Sequence, residues 1–147
     1  PVNRSKHEVR GGGVSSTPMG GHLVDRHGEA YLAVGFACGR GSFQALGETD
    51  DGEYELMTHT VDGPRPGTVD AALDELGSSP VLFDIRATRE DGRLAEWVET
   101  PRGTFSAGAT YDPGSPERYI TEYSLAAAFD AVCYVAETSR ASPVGGE

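Results

Sequence analysis

Histidine is the residue type in this chain best suited to move a proton, because its imidazole titrates close to neutral pH. Of four histidines, His7 lies in a polar N-terminal segment, where it could act as a general base toward a water molecule. A histidine so near a chain end is more often simply exposed to solvent, so the residues alone favour an exposed side chain over a catalytic one. His22 and His27 are five residues apart, so they do not share a helix face as a metal-binding i, i+4 pair would.

A glycine-rich stretch at residues 39–42 (Gly-Arg-Gly-Ser) follows an apolar run and superficially suggests a phosphate-binding loop. The dinucleotide fingerprint requires a third glycine and an immediately following helix, and this stretch has neither. We therefore predict a tight turn between two strands here. The G-x-S-x-G elbow of common serine hydrolases is also missing from the sequence, which disfavours a serine nucleophile.

Two aspartates, Asp84 and Asp130, adjoin apolar runs that are typical of buried strands. Carboxylates at strand ends are often catalytic in α/β sheets. Aspartate also bonds readily to nearby backbone groups, and this second role is the more common one. We therefore favour the interpretation that both residues cap turns that follow them, and the catalytic role stays open.

Helices alternate with apolar strands along the chain. Pro18 begins a first helix that Gly28 ends, and Thr68 caps a second helix that Gly77 ends. The run at residues 31–38 is apolar almost throughout, which is typical of a strand covered on both faces. We predict an α/β fold with a mixed, mostly parallel sheet of about five strands flanked by helices. The other predicted strands are residues 42–46, 53–61, 81–85, 105–109 and 131–136, with helical turns at 94–98 and 124–130.

The composition restricts the function further. The 147 residues include 23 acidic and 12 basic side chains, a net charge of −11, which would repel a phosphate backbone and predicts no nucleic-acid partner. With Lys6 as the single lysine, the acidity favours adaptation to high salt, and solubility is the plainer alternative. No apolar run approaches the ~20 residues of a membrane helix. We therefore expect a cytoplasmic protein without a membrane partner.

The two cysteines, Cys38 and Cys133, lie in apolar segments and lack the C-x-x-C spacing of zinc or redox sites. We expect them to be small buried hydrophobic residues.

Four segments, in this order, resemble the erythromycin esterase family. The first contains Met19-Gly20, Gly28, Tyr31 and then Gly41-Ser42-Phe43. Each segment alone is weakly specific, but together they extend the likeness over roughly residues 7–140. The other three are residues 67–73, residues 82–86 (Leu-Phe-Asp-Ile-Arg) and residues 128–135 around Phe-Asp-Ala.

The resemblance implies metal-independent hydrolysis of a macrolide lactone, or another ester, by a water molecule that histidine activates, without a cofactor. His7 matches the second active-site histidine of the family and is the implied catalytic residue. Arg10 matches the arginine that follows it and would stabilise negative charge on the ester oxygen. Ser42 and Phe43 would line the substrate cleft. Arg4-Ser5 replaces a His-Asn pair of the family, and the upstream catalytic histidine motif has no counterpart.

These departures indicate an incomplete domain and leave three possibilities open. The chain could be part of a hydrolase, a non-catalytic diverged homologue that binds a ligand or partner, or a subunit completed by a separate N-terminal half or a second copy. An exposed hydrophobic face would favour the last, because an intact domain rarely leaves one. We divide the chain into a flexible segment at 1–16, an α/β region at 17–138 and a flexible tail at 139–147.

Overall fold

The computed structural model describes residues 17–142. The N-terminal segment expected to be flexible, residues 1–16, lies outside the described residues, as do the last five residues of the expected tail. The helices are α1 (Met19–His27), α2 (Val69–Asp74), α3 (Gly92–Glu99) and α4 (Leu125–Ala128). The strands are β1 (Val34–Glu48), β2 (Tyr54–Val61), β3 (Val81–Asp84), β4 (Arg102–Phe105), β5 (Ile120–Tyr123) and β6 (Ala131–Thr138).

The central sheet has the strand order β2-β1-β6-β3 among the described residues, and β4 and β5 form a separate hairpin. The predicted α/β class and mixed sheet are confirmed. The prediction of a mostly parallel sheet of about five strands is wrong in detail, because only the β1–β6 pair is parallel. β2 must run antiparallel to β1, since a short turn joins them and a parallel return needs a crossover of a dozen residues or more.

The predicted turn at residues 39–42 is wrong, because β1 continues through it as one strand of 15 residues. The glycines serve close packing instead. Gly41 has φ +118°, and a Cβ atom there would overlap the carbonyl oxygen of Thr138 on β6. A Cβ atom on Gly39 would meet the hydroxyl of Tyr134. The two glycines therefore let β1 and β6 approach closely where a turn was expected.

α2 forms as predicted, because Thr68 Oγ1 accepts a hydrogen bond from the N–H of Ala71 at 3.2 Å and Gly77 follows with φ +65°. This helix packs on one face of the sheet together with α3 and α4. The core between them consists of buried apolar residues that include Val69, Leu73, Val98, Leu125, Phe129 and Tyr134.

A polar link fastens α2 to the sheet at the edge of this core. The hydroxyl of Tyr134 on β6 donates a hydrogen bond to Asp74 Oδ1 at 2.5 Å, and the guanidinium of Arg40 on β1 donates to Asp74 Oδ2 at 3.1 Å. Burial and the bond to Asp74 raise the pKa of Tyr134. The phenol therefore stays a donor throughout the neutral range.

The strand predicted at residues 105–109 is wrong in position. The chain is extended at Arg102–Phe105, where it pairs with Ile120–Tyr123, a strand that the sequence pattern did not indicate. β5 consists of Ile-Thr-Glu-Tyr and carries no continuous apolar run, because its hairpin is half-exposed.

The two strand-end aspartates bond to backbone groups in different ways. Asp84 Oδ1 accepts from the N–H of Arg86 at 3.0 Å and caps the turn that follows, as favoured. Asp130 Oδ2 instead accepts from the N–H of Ala33 at 2.8 Å, so it fastens two distant segments rather than a following turn. Cys38 and Cys133 are both free thiols and half-buried rather than fully buried, because each lies at a surface of the sheet.

The close approach at Gly41 gives a first prediction. Gly41→Ala should lower the free energy of unfolding by about 2–4 kcal/mol, because the new methyl group combines left-handed strain with overlap against β6. Gly52→Ala is the matched control, since Gly52 also has positive φ, +84°, but open space around it. It should cost about 1 kcal/mol. Urea denaturation measures both, and equal losses would contradict the packing role of Gly41.

Candidate active-site cleft

A cleft of about 260 Å³ opens where the middle of β1 and the end of β2 meet the β4–β5 hairpin. Its walls are mostly apolar, with the guanidinium of Arg65 as the one positively charged group among the lining residues. Arg65 also lies 3.8 Å from a Glu117 carboxylate oxygen, and both side chains are largely exposed, so this ion pair is weak. The cleft can therefore hold an apolar ligand and present one cation to a carbonyl or carboxylate. Lining residues include Cys38, Thr60, Pro64, Thr68, Phe105, Tyr111 and Ile120.

Aromatic rings pack beside the cleft. The ring centroid of Phe43 on β1 lies 5.1 Å from that of Tyr111 and 6.2 Å from that of Phe105, both in edge-to-face geometry. Buried His59 on β2 packs against the rings of Phe43 and Tyr111, and its Nε2 is 3.3 Å from the carbonyl oxygen of Ala45. Edge-to-face contacts favour a fixed arrangement of the rings. This wall of the cleft is thus preorganised.

A buried carboxyl group lies behind the cleft. Asp70, in the first turn of α2, is 1% exposed, and its Oδ2 accepts a hydrogen bond from the N–H of Phe105 at 2.9 Å. Its Oδ1 is buried without a hydrogen-bond partner among the described residues. Burial raises the pKa of Asp70, and the backbone N–H groups of Phe105, Asp70 itself and Cys38 offset part of the rise. Burial and the Asp70 charge likewise raise the pKa of the Cys38 thiol.

The structure separates Ser42 and Phe43, the two expected cleft residues. Phe43 lies on the core side of β1, in the aromatic cluster that backs the cleft, although it is not itself a lining residue. Ser42 is its neighbour in the strand, where successive side chains point to opposite faces. Its Oγ accepts a hydrogen bond from the N–H of Arg140, in the segment after β6. The expected residues His7 and Arg10 lie outside the described residues.

The family model for erythromycin esterase matches residues 4–138, which is nearly the whole chain. The chain belongs to the erythromycin esterase family. The resemblance seen in the sequence is therefore confirmed. The matched range contains both His7 and Arg10, as well as the complete sheet and the cleft.

Two solved structures share the fold. One is a Bacillus cereus protein that is 20% identical, with a TM-score of 0.75, covering 94% of this chain and 32% of its own. The other is described as a succinoglycan biosynthesis protein, also 20% identical, with a TM-score of 0.73 and coverage of 92% and 31%. This erythromycin esterase-like chain therefore spans about a third of the length of these relatives. No curated protein sequence is significantly similar to it.

Sequence reasoning missed Asp70 and Arg65. Asp70 lies in the first turn of a helix, where acidic residues are common because they interact favourably with the helix dipole. The sequence pattern therefore does not distinguish a buried aspartate here from an exposed one. Arg65 lies in a Pro/Gly-rich loop whose path only the fold defines.

Within residues 17–142, no three His, Cys, Asp or Glu side chains are grouped so as to hold a metal ion. In the same part of the chain, no helix is long and apolar enough to cross a bilayer.

The raised pKa of Asp70 predicts a pH-dependent stability. Well below pH 4 the carboxyl is protonated in both the folded and the unfolded chain, and its burial carries no charge penalty. As the pH rises, the unfolded chain releases the proton first, so the folded state loses about 1.4 kcal/mol for each unit of pKa difference. Asp70→Asn should therefore gain stability over the parent increasingly from pH 4 to pH 7.

Asp84→Asn is the control, because its effect on stability should change with pH in the opposite direction. The side-chain hydrogen bond from Arg86 holds the pKa of Asp84 below its ordinary value, so that carboxylate stabilises the fold above pH 4 and loses this effect as the pH falls. Chemical denaturation across the pH range measures both variants. A stability difference for Asp70→Asn that does not change with pH would show that the buried carboxyl is not the cause.

Proposed function

We propose that this chain forms one side of an ester-hydrolysing active site and acts on an apolar ester or lactone, with macrolide lactones as the first substrate class to test. The observation that carries the proposal is the family match, because it extends over residues 4–138 and so includes His7 and Arg10. The relatives named above show the fold and are not evidence for the substrate.

In this proposal His7 accepts the proton of a water molecule that attacks the ester carbonyl, a task suited to imidazole near neutral pH. Arg10 stabilises the negative charge that develops on the carbonyl oxygen. The attack breaks the acyl–oxygen bond of the ester, and the products are a carboxylate and an alcohol. In a lactone the two remain joined as one opened chain.

The lining of the cleft supports an apolar substrate. Small-molecule sites usually measure about 300–1,000 Å³, so about 260 Å³ holds only part of a large ring. The rings of Phe105 and Tyr111, which line the cleft and pack against Phe43, suit an aliphatic macrocycle, and Arg65 can face its polar groups. The rest of the pocket would then come from the part of the family fold that this chain does not span.

Location in the cytoplasm and adaptation to high salt stay predictions from composition.

The catalytic role of His7 is tested with His7→Ala. The protein is incubated with a 14-membered macrolide, alone and together with the polypeptide encoded immediately upstream, and the products are followed by mass spectrometry. The parent should add one water molecule in at least one of the two samples, and the variant should be slower there by at least ~100-fold. His27→Ala is the matched control, because His27 is an exposed histidine at the end of α1. Its rate should equal that of the parent.

Equal rates for His7→Ala and the parent would refute the assigned base. If the parent binds the macrolide but adds no water, with or without the polypeptide encoded immediately upstream and in low or high salt, the non-catalytic alternative holds, and the chain is a ligand-binding homologue. Binding is followed by equilibrium dialysis in the same samples.

The role of the cleft is tested by filling it. Val61→Trp places an indole in the cleft, because Val61 lines the cleft and pairs with Gly41 on the core side of the sheet, and should weaken macrolide binding by about tenfold. Leu56→Trp adds an indole at an exposed position of β2 that does not line the cleft, and binding should be unchanged. Equal binding by the two variants would place the ligand elsewhere.

A further inference from the structure

The outer face of the sheet, opposite α2, α3 and α4, carries a row of apolar side chains. Phe36 on β1 pairs with Cys133 on β6, and Cys133 pairs with Leu82 on β3, so the three lie side by side across the strands. Their sheet neighbours Gly35, Val132 and Phe83 form the corresponding row on the core face. We call Phe36, Cys133 and Leu82, with Val34 and Val135 beside them, the outer apolar row.

The outer apolar row is open to solvent. Phe36 is 60% exposed and Leu82 is 68% exposed, although both are large hydrophobic residues in regular strands. Val34 is also exposed, and Cys133 is half-buried. On the opposite face of the same strands, Ala37, Val132 and Tyr134 are almost completely buried. One face of the sheet is therefore buried in the core, and the other is an exposed apolar surface.

The sequence of these strands is typical of strands that are covered on both faces. Residues 34–38 read Val-Gly-Phe-Ala-Cys and residues 131–136 read Ala-Val-Cys-Tyr-Val-Ala, without the polar alternation of a half-exposed strand. The two runs form the parallel pair of the sheet, and parallel strands are regularly covered on both sides. The pattern thus calls for a second layer, which the described residues do not provide.

The length of the relatives indicates what supplies that layer. The solved structures match 92–94% of this chain, but this chain covers only 31–32% of theirs. About two-thirds of the polypeptide in that fold has no counterpart here. We infer that the outer apolar row is the docking surface for the polypeptide that forms the remainder of the family fold. A second copy is a poorer occupant, since each chain carries a net charge of −11 and two copies repel.

Cys133 in the middle of the row provides a direct probe, because the chain has only one other cysteine. In a Cys38→Ala variant of the full chain, we would measure the rate of maleimide labelling alone and after mixing with the polypeptide encoded immediately upstream. Labelling of Cys133 should be fast in the isolated chain and at least tenfold slower in the mixture. Substrate is absent, so this result does not depend on whether the proposed hydrolysis is correct.

In the same Cys38→Ala background, Leu82→Asp should restore fast labelling of Cys133 in the mixture. The substitution places a charge in the docking surface, on the short edge strand β3. Phe36→Lys serves the same purpose should β3 be perturbed. Leu76→Asp is the matched control, since Leu76 is 56% exposed but follows α2 on the core side of the sheet. It should leave the slow labelling of the mixture unchanged, and circular dichroism confirms that each variant is folded.

Four results would overturn the inference. Unchanged labelling in the mixture, or an upstream region that encodes no such polypeptide, would exclude the proposed occupant. Slow labelling of the isolated chain at every concentration would mean that residues of this chain cover the row. Labelling of the isolated chain that slows only as its concentration rises would identify a second copy as the occupant.

Discussion

The parallel pairing of β1 with β6 is the constraint on which the rest of the molecule depends. It joins segments almost a hundred residues apart, and its register is held at both ends. At the start, the N–H of Ala33 donates to Asp130 Oδ2, and the N–H of Asp130 donates to the carbonyl of Ala33, each at 2.8 Å. At the far end, Gly41 allows the strand to pass against Thr138. A slip of one residue would exchange the faces of the sheet.

The same pairing gives the sheet two different faces, one covered by the core and one exposed. Odd-numbered positions of β1 near its start meet Phe129 and Tyr134 and build the core, whereas Phe36 points away from it. α2, α3 and α4 lie on the core side, where α2 carries Asp70 and the β4–β5 hairpin contributes to the cleft. The ester-cleaving role and the docking surface are therefore separate proposals about opposite faces of one sheet, and either can fail without the other.

The buried carboxyl of Asp70 is the least favourable feature of the core. Holding an acid at 1% exposure with one bonded oxygen opposes stability at neutral pH, yet Asp70 also fixes Phe105, a residue of the cleft wall. Its geometric effect is to tie α2 to the end of β4. The cleft thus gains a rigid wall at a cost in stability that depends on pH.

Local patterns determined much of this protein. The cap at Thr68, the stop at Gly77, the apolar runs of β1 and β6 and the family motifs all follow from near neighbours in the chain, so they could be predicted. The tertiary structure alone decided the rest. Whether glycines at 39–42 turn the chain or let another strand approach depends on Thr138, and the burial of Asp70 depends on Phe105. Such contacts join residues far apart in sequence, and no local pattern contains them.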